Sequence, residues 1–308
     1  MRYRNLLLFL LLSVVWGSAF TAIKAGLEHF PPVLFAALRF DIAGLLLVAY
    51  AAYASDRLWP RGRREWADVA ASGLLMIAAY HALLFVGEQY TTSAAAAVVV
   101  GLNPVATTAF ARGLLPDERL SPLGVVGLLL GLGGVVALVG VDPASLATGR
   151  GWGVALVFGA TVAFSLGSVL SRRSGSRLPT EASTAWSMLA GAVVLHVGSV
   201  AVGEGLAGVT LVPEAVGALA YLAVAASGLG FLVYFDLLDR LGPVEINLVS
   251  YAAPVVAAAT GLVLLNEVPT ARTAVGFVVI CVGFALVKRE ALAREAGRLR
   301  RRGVGDDA

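Results

Sequence analysis

Charge is scarce in this chain. Only 14% of its 308 residues are Asp, Glu, Lys or Arg, against roughly 25% in a soluble domain. Apolar residues make up 58%, and the mean hydropathy is +0.84. A water-soluble chain of this length cannot hide so much apolar surface, so the excess is expected to face a bilayer. Cysteine is nearly absent: Cys281 is the single one and sits in an apolar run, which excludes an internal disulfide framework and a cysteine metal site. Histidine occurs only at 29, 81 and 196. HExxH, GxSxG and Walker A sequences are missing, so no catalytic constellation is expected, and no metal or other cofactor. Without an ATP-binding segment, any primary pumping would need a separate subunit.

What the chain does have is a series of long apolar runs. A spanning helix needs about 20 mostly apolar residues, at about 1.5 Å rise across roughly 30 Å of hydrocarbon. Residues 6–26, 33–53, 69–87, 92–111, 122–140, 152–170, 182–202, 215–236, 245–265 and 272–288 meet that standard. The expectation is an all-α integral membrane protein with ten transmembrane helices. The basic opening MRYRN and the apolar run after it share features with a signal peptide. That run continues through Trp16, Gly17 and Phe20 to Ala22, and reads better as the first membrane helix. Pro31-Pro32 opens the second helix, Ser121-Pro122 has the form of a cap followed by a first-turn proline, and Thr270 is placed to cap the tenth helix.

Basic residues mark the cytoplasmic side. With the N-terminus inside, nineteen Lys and Arg fall in cytoplasmic flanks, including Arg57, Arg61, Arg63, Arg64, Arg172, Arg173 and the Arg-rich tail. Only Lys24, Arg150 and Arg272 fall outside, and Arg39 lies within a helix. The asymmetry places both termini in the cytoplasm of a multi-pass cell-membrane protein. It also accounts for a pI near 9.2 by topological anchoring and lipid headgroups rather than by nucleic acid.

An internal repeat divides the chain. Gly127 and Gly134 lie 9 and 16 residues beyond Glu118, and Gly276 and Gly283 lie 9 and 16 beyond Glu267. Pro104 precedes Glu118 by 14 residues and Pro254 precedes Glu267 by 13. The openings match more weakly, with Trp16 to Lys24 and Phe164 to Arg172 each spanning eight. The expected domains are residues 6–140 and 151–288, each of five helices, followed by a basic cytoplasmic tail at 289–308. An odd number of helices per copy inverts the second copy in the membrane, a construction recurrent in secondary transporters.

The chain resembles the EamA-type branch of the drug/metabolite transporter superfamily. The resemblance rests on VWGSAF at Val15–Phe20, FPPVLFAALRF with Pro32 and Arg39, QYTTSAAA at Gln89–Ala96, and NPV followed by PDERLS in the first half. In the second half it rests on DRLGP, APV and NEVPT. Asp117 and Asn266 stand where the family commonly has glycine. The resemblance implies two inverted five-helix repeats working by alternating access around a central cavity, often to export metabolites or amino acids.

Ionisable groups inside hydrocarbon are functional candidates by default. Arg39, about two turns into the second helix, can bind a substrate carboxylate or pair within the bundle. Asp41 is two residues on and points to another face. His81 and Glu88 share one face of the third helix at i and i+7, a spacing open to proton relay or to plain packing. His196 has no such companion in sequence. Trp16, Phe20, Tyr80, Trp186, Tyr234 and Tyr251 are candidate cavity aromatics, with Asn103 as a polar neighbour. Pro104 and Pro254 are candidate kink and gating positions, and Glu118 and Glu267 candidate turn residues. The reading is a carrier for a small-molecule substrate, with protons as the candidate coupling ion, the bilayer as partner and the oligomeric state open. An importer or uniporter, and a non-transporting scaffold or lipid-handling protein, are the alternatives.

Overall fold

The computed structural model describes residues 2–115, 122–139, 149–241, 246, 248–287 and 289. They form helices and short connections, with no strand among the described residues. Seven helices are long and apolar enough to cross a membrane, and three shorter apolar helices accompany them: Pro122–Leu138, Val249–Leu265 and Ala271–Leu286.

In chain order, α1 is Arg2–Gly26, α2 Pro32–Ala54 and α3 Gly62–Glu88. Two short helices follow, α4 at Ser93–Val100 and α5 at Asn103–Leu114, then α6 at Pro122–Val139. The second half holds α7 at Gly149–Ser174, α8 at Thr180–Ala201, α9 at Pro213–Leu237, α10 at Val249–Leu265 and α11 at Ala271–Val287. Pro32 opens α2 as expected, because its missing N–H costs nothing in a first turn. Thr270 Oγ1 accepts from Thr273 N at 3.2 Å at the start of α11, and Thr92 Oγ1 accepts from Ala95 N at 3.3 Å at the start of α4.

Two features depart from the uninterrupted helices read from the sequence. The run from Ser93 to Leu114 breaks at Gly101-Leu102, so Pro104 lies in the first turn of α5 rather than in mid-helix. Pro254, by contrast, stays inside a continuous α10. The chain bridges the break with its own backbone bonds: Gly101 N donates to Ala97 O at 2.9 Å, Leu102 N to Val99 O at 3.0 Å and Val105 N to Leu102 O at 3.0 Å. Helix α7 adds to them: Ser165 Oγ donates to Asn103 O at 3.2 Å, and Thr161 Oγ1, which donates to Val157 O of its own helix at 3.1 Å, also lies 3.4 Å from Val99 O. The second departure is a pair of π-helical segments, Ser72–Ala79 within α3 and Tyr221–Leu229 within α9.

The helices of one half pack mainly on those of the other. Helix α2 lies along α8, with Gly44 against Leu189, and α1 lies along α10, where Thr21 and Thr260 hydroxyls meet at 2.6 Å. Helices α6 and α11 run antiparallel, because Gly127 O faces Gly283 while Gly134 faces Gly276 O. These are the four glycines of the sequence repeat, and they let two backbones touch where any side chain would intervene. A Cβ at Gly134 would meet Ile280 Cγ1 at 2.7 Å and Gly276 O at 2.9 Å, whereas one at Gly133 meets nothing within 4 Å. Gly134→Ala is therefore expected to lower stability by about 1–3 kcal/mol. Gly133→Ala should stay within about 0.5 kcal/mol of the parent or exceed it slightly. Thermal unfolding of the detergent-solubilised protein checks both.

Candidate functional site

Part of the interior polar network attaches to the two π segments. A π turn bonds i to i+5, a wider and poorer ladder that recurs at functional sites. Three side chains singled out from the sequence attach there. Arg39 Nε on α2 donates to Ser227 Oγ on α9 at 3.0 Å. Trp16 Nε1 on α1 donates to Ala226 O at 3.0 Å. His81 Nδ1 lies 2.9 Å from Ile77 O in the first π segment, and since a carbonyl only accepts, Nδ1 carries the hydrogen.

Arg39 is buried, with its guanidinium carbon 5.1 Å from the Phe40 ring centre. Among the described residues no carboxylate lies within ion-pair distance of it; Tyr80 and Glu88 are within its electrostatic reach. His81 is held edge-on between Phe40 at 4.4 Å and Tyr80 at 4.5 Å, and Phe164 of α7 stands 5.2 Å from Tyr80. Helices α2 and α3 of the first half thus meet α7 and α9 of the second around one cation and a set of rings. This arrangement can hold an anionic group against Arg39 and apolar matter against the aromatics.

The other candidates divide. Trp16 continues the cluster through Tyr234 at 5.4 Å and Phe231 at 5.7 Å, and Phe20 is buried in the main core. Tyr251 packs on Phe284 of α11 at 4.4 Å, and its hydroxyl, like Asn103 Oδ1, is buried without a hydrogen-bond partner. Trp186 stands apart: its Nε1 donates to Leu58 O at 2.9 Å, and its ring lies 4.7 Å from Trp59 in the loop after α2. That loop is also tied by Arg57, which grips both Glu65 oxygens at 2.6 and 2.7 Å. Glu118 lies outside the described residues. Glu267 Oε2 accepts from Ser93 N at 2.9 Å, so it caps α4 from the opposite half of the chain.

Several partners have no sequence signal. Ser227 is 188 residues from Arg39. His196, without a companion in sequence, pairs with Asp41 through Nε2 and Oδ2 at 2.7 Å, across the α2–α8 contact. Asp68 accepts from Ser171 of α7 and from Ser183 of α8, the latter at 2.8 Å. Among the described residues no group of three His, Cys, Asp or Glu side chains is placed to hold a metal ion.

The EamA-like transporter family matches the chain twice, over residues 4–140 and 151–289. The chain belongs to the EamA-like transporter family. It is a multi-pass membrane transporter, similar in sequence to named transporters along most of its length. The "Uncharacterized inner membrane transporter YedA" of Escherichia coli K12 is 34% identical over 274 residues, covering 87% of this chain and 86% of that protein. The "Uncharacterized transporter YvbV" of Bacillus subtilis strain 168 is 27% identical over 301 residues, covering 96% and 95%. A solved crystal structure shares the fold with a TM-score of 0.66 at 27% identity, covering 96% of this chain and 99% of the other.

In this EamA-like transporter the broken α4–α5 run borders the site, and two hydroxyls of α7 reach its carbonyls. Replacing Thr161 by Val and Ser165 by Ala should cost about 0.5–2 kcal/mol each. Thr161→Ser, which keeps the donor, should unfold near the parent temperature. The same thermal measurement separates the three.

Proposed function

We propose that the protein is a secondary carrier that exports a small metabolite such as an amino acid by alternating access, with protons as the coupling ion. The observation that carries this reading is Arg39: a buried guanidinium, anchored by Nε to the other half, with no carboxylate at ion-pair distance among the described residues. An unpaired charge inside a bundle is costly. A substrate carboxylate is the partner that offsets the cost, and the forked guanidinium suits it. Phe40, Tyr80 and Phe164 then face the apolar part of the same solute.

In this reading the seven long and three shorter apolar helices are ten spans in two inverted five-helix repeats, 6–140 and 151–288, with 289–308 a basic cytoplasmic tail. The exchange of partners at the α6–α11 crossing supports it. Gly127 is the repeat equivalent of Gly276 and Gly134 of Gly283, yet the contacts pair 127 with 283 and 134 with 276. A twofold axis lying in the membrane plane generates such swapped pairs. The nineteen-to-three distribution of basic residues supports cytoplasmic termini in a cell membrane. Trp16, Phe20, Tyr234, Tyr251 and Asn103 border the path of the solute, and Pro104 and Pro254 mark where the bundle bends. Import or uniport uses the same site and differs in direction or coupling. A scaffold or lipid-handling role leaves Arg39 without a use.

Flux of labelled amino acids in proteoliposomes, with and without a pH gradient, tests the proposal. Arg39→Ala should reduce flux on the order of tenfold or more, Arg39→Lys less, and Ser227→Ala about two- to threefold because only the Nε bond is lost. Absence of flux for every amino acid, or full flux in Arg39→Ala, would sink it.

A further inference from the structure

Where α3 turns into α4, a carboxyl is buried with nothing bonded to it. Glu88 is 0% exposed, and neither carboxylate oxygen has a hydrogen-bond partner. Its surroundings come from several elements. From α1, Lys24 Nζ points not at the carboxylate but at backbone carbonyls, donating to Glu88 O at 2.5 Å and Thr91 O at 2.9 Å. From α2, Arg39 is within electrostatic reach but bonded to Ser227. From the segment between α10 and α11, Glu267 also reaches it electrostatically, while its own Oε2 is engaged by Ser93 N. From α7 come Val157 and Gly153, packed on Gly87. On its own helix His81 lies two turns back, its Nδ1 committed to Ile77 O.

An ionised carboxylate in this position would lack every donor that normally stabilises it, at a cost of several kcal/mol. The neutral acid has no such requirement. A cleft of about 280 Å³ begins at the residue after Glu88, lined by Lys24, Gln89, Tyr90, Thr91, Thr92 and Glu267. Thr91, which is buried with an unpartnered Oγ1, is one of the residues that line the cleft.

We propose that Glu88 is a proton-binding site, taking a proton as this end of the bundle closes and releasing it to water in the cleft as it opens. The transfer makes one O–H bond at a carboxyl oxygen and breaks one in the hydrated proton, and nothing is oxidised. This names the residue that carries the coupling proton, and in that respect it rests on the carrier reading above. The cations nearby fit the role: when Glu88 ionises, Lys24 and Arg39 are the groups drawn toward it, and both are engaged elsewhere while it is neutral.

The test uses the full chain in liposomes with Cys281→Ala and a reporter thiol at Thr91→Cys. Its reaction rate with a membrane-impermeant maleimide is divided by that of an exposed reporter at Tyr90→Cys, which cancels the titration of the thiol itself. The ratio should rise on the order of tenfold from acid to alkaline pH with Glu88 present. It should be low and flat in Glu88→Gln, and regain its slope in Glu88→Asp. A flat ratio in the parent, or the same slope in Glu88→Gln, overturns the proposal. Should Glu88→Gln not fold, Glu88→Asp and infrared difference spectra of the parent still decide. A protonated-carboxyl band that responds to pH and shifts in Glu88→Asp supports the site, and its failure to shift overturns it. Neither readout needs a substrate, so failed amino-acid flux and a failed proton site are separate results.

Discussion

Inside this bundle a hydrogen-bonding group has no water to turn to, and that requirement organises the rest of the structure. An unsatisfied backbone group in hydrocarbon costs several kcal/mol, and each departure from α-helix is reached by a side-chain donor. The gap between α4 and α5 sits beneath the Thr161 and Ser165 hydroxyls. The π segment of α9 is met by the Trp16 indole and the Arg39 guanidinium, and that of α3 by the His81 ring. Irregular backbone and functional side chains coincide because each satisfies the other.

Those donors and acceptors lie almost always on opposite halves of the chain. Lys24 of α1, closing the end of α3, and His81, bonded to Ile77 of its own helix, stay within the first half. Elsewhere the first half holds Trp16, Arg39 and Ser93 while the second supplies Ala226, Ser227 and Glu267. The glycine contact of α6 with α11 and the Asp41–His196 pair of α2 with α8 follow the same rule. Neither half can be a closed core alone. Motion of one half against the other must break or slide specific bonds rather than simply separate greasy surfaces.

Much of the architecture was legible because it rests on local physics. Apolar length located the helices, Pro32 and Thr270 set helix starts, and the spacing of Gly127, Gly134, Gly276 and Gly283 marked the residues that later proved to touch. The site was less legible. Arg39 stood out by its cost in hydrocarbon, but its partner Ser227 depends on how α2 and α9 rotate about their axes. Trp186 shared the composition of a cavity residue and packs instead on Trp59, because the turn before α3 folds back across α8. The π segments have no residue signature: Ser72–Ala79 and Tyr221–Leu229 read as ordinary helix. His196 found its carboxylate through a helix crossing that no spacing rule anticipates.

One of those segments settles how a single helix serves two environments. Near one end of α3, Asp68 is bonded to α7 and α8; near the other, His81 packs on α2 and Glu88 lies beside Lys24 of α1. Asp68 and His81 are 13 residues apart, which in an unbroken α-helix at about 100° per residue puts them about 220° out of phase. The π turn absorbs one residue and removes about 100° of that azimuth, leaving about 120°. Ser72–Ala79 therefore acts as a phase shifter, steering the later turns of α3 to a different bearing from the earlier ones.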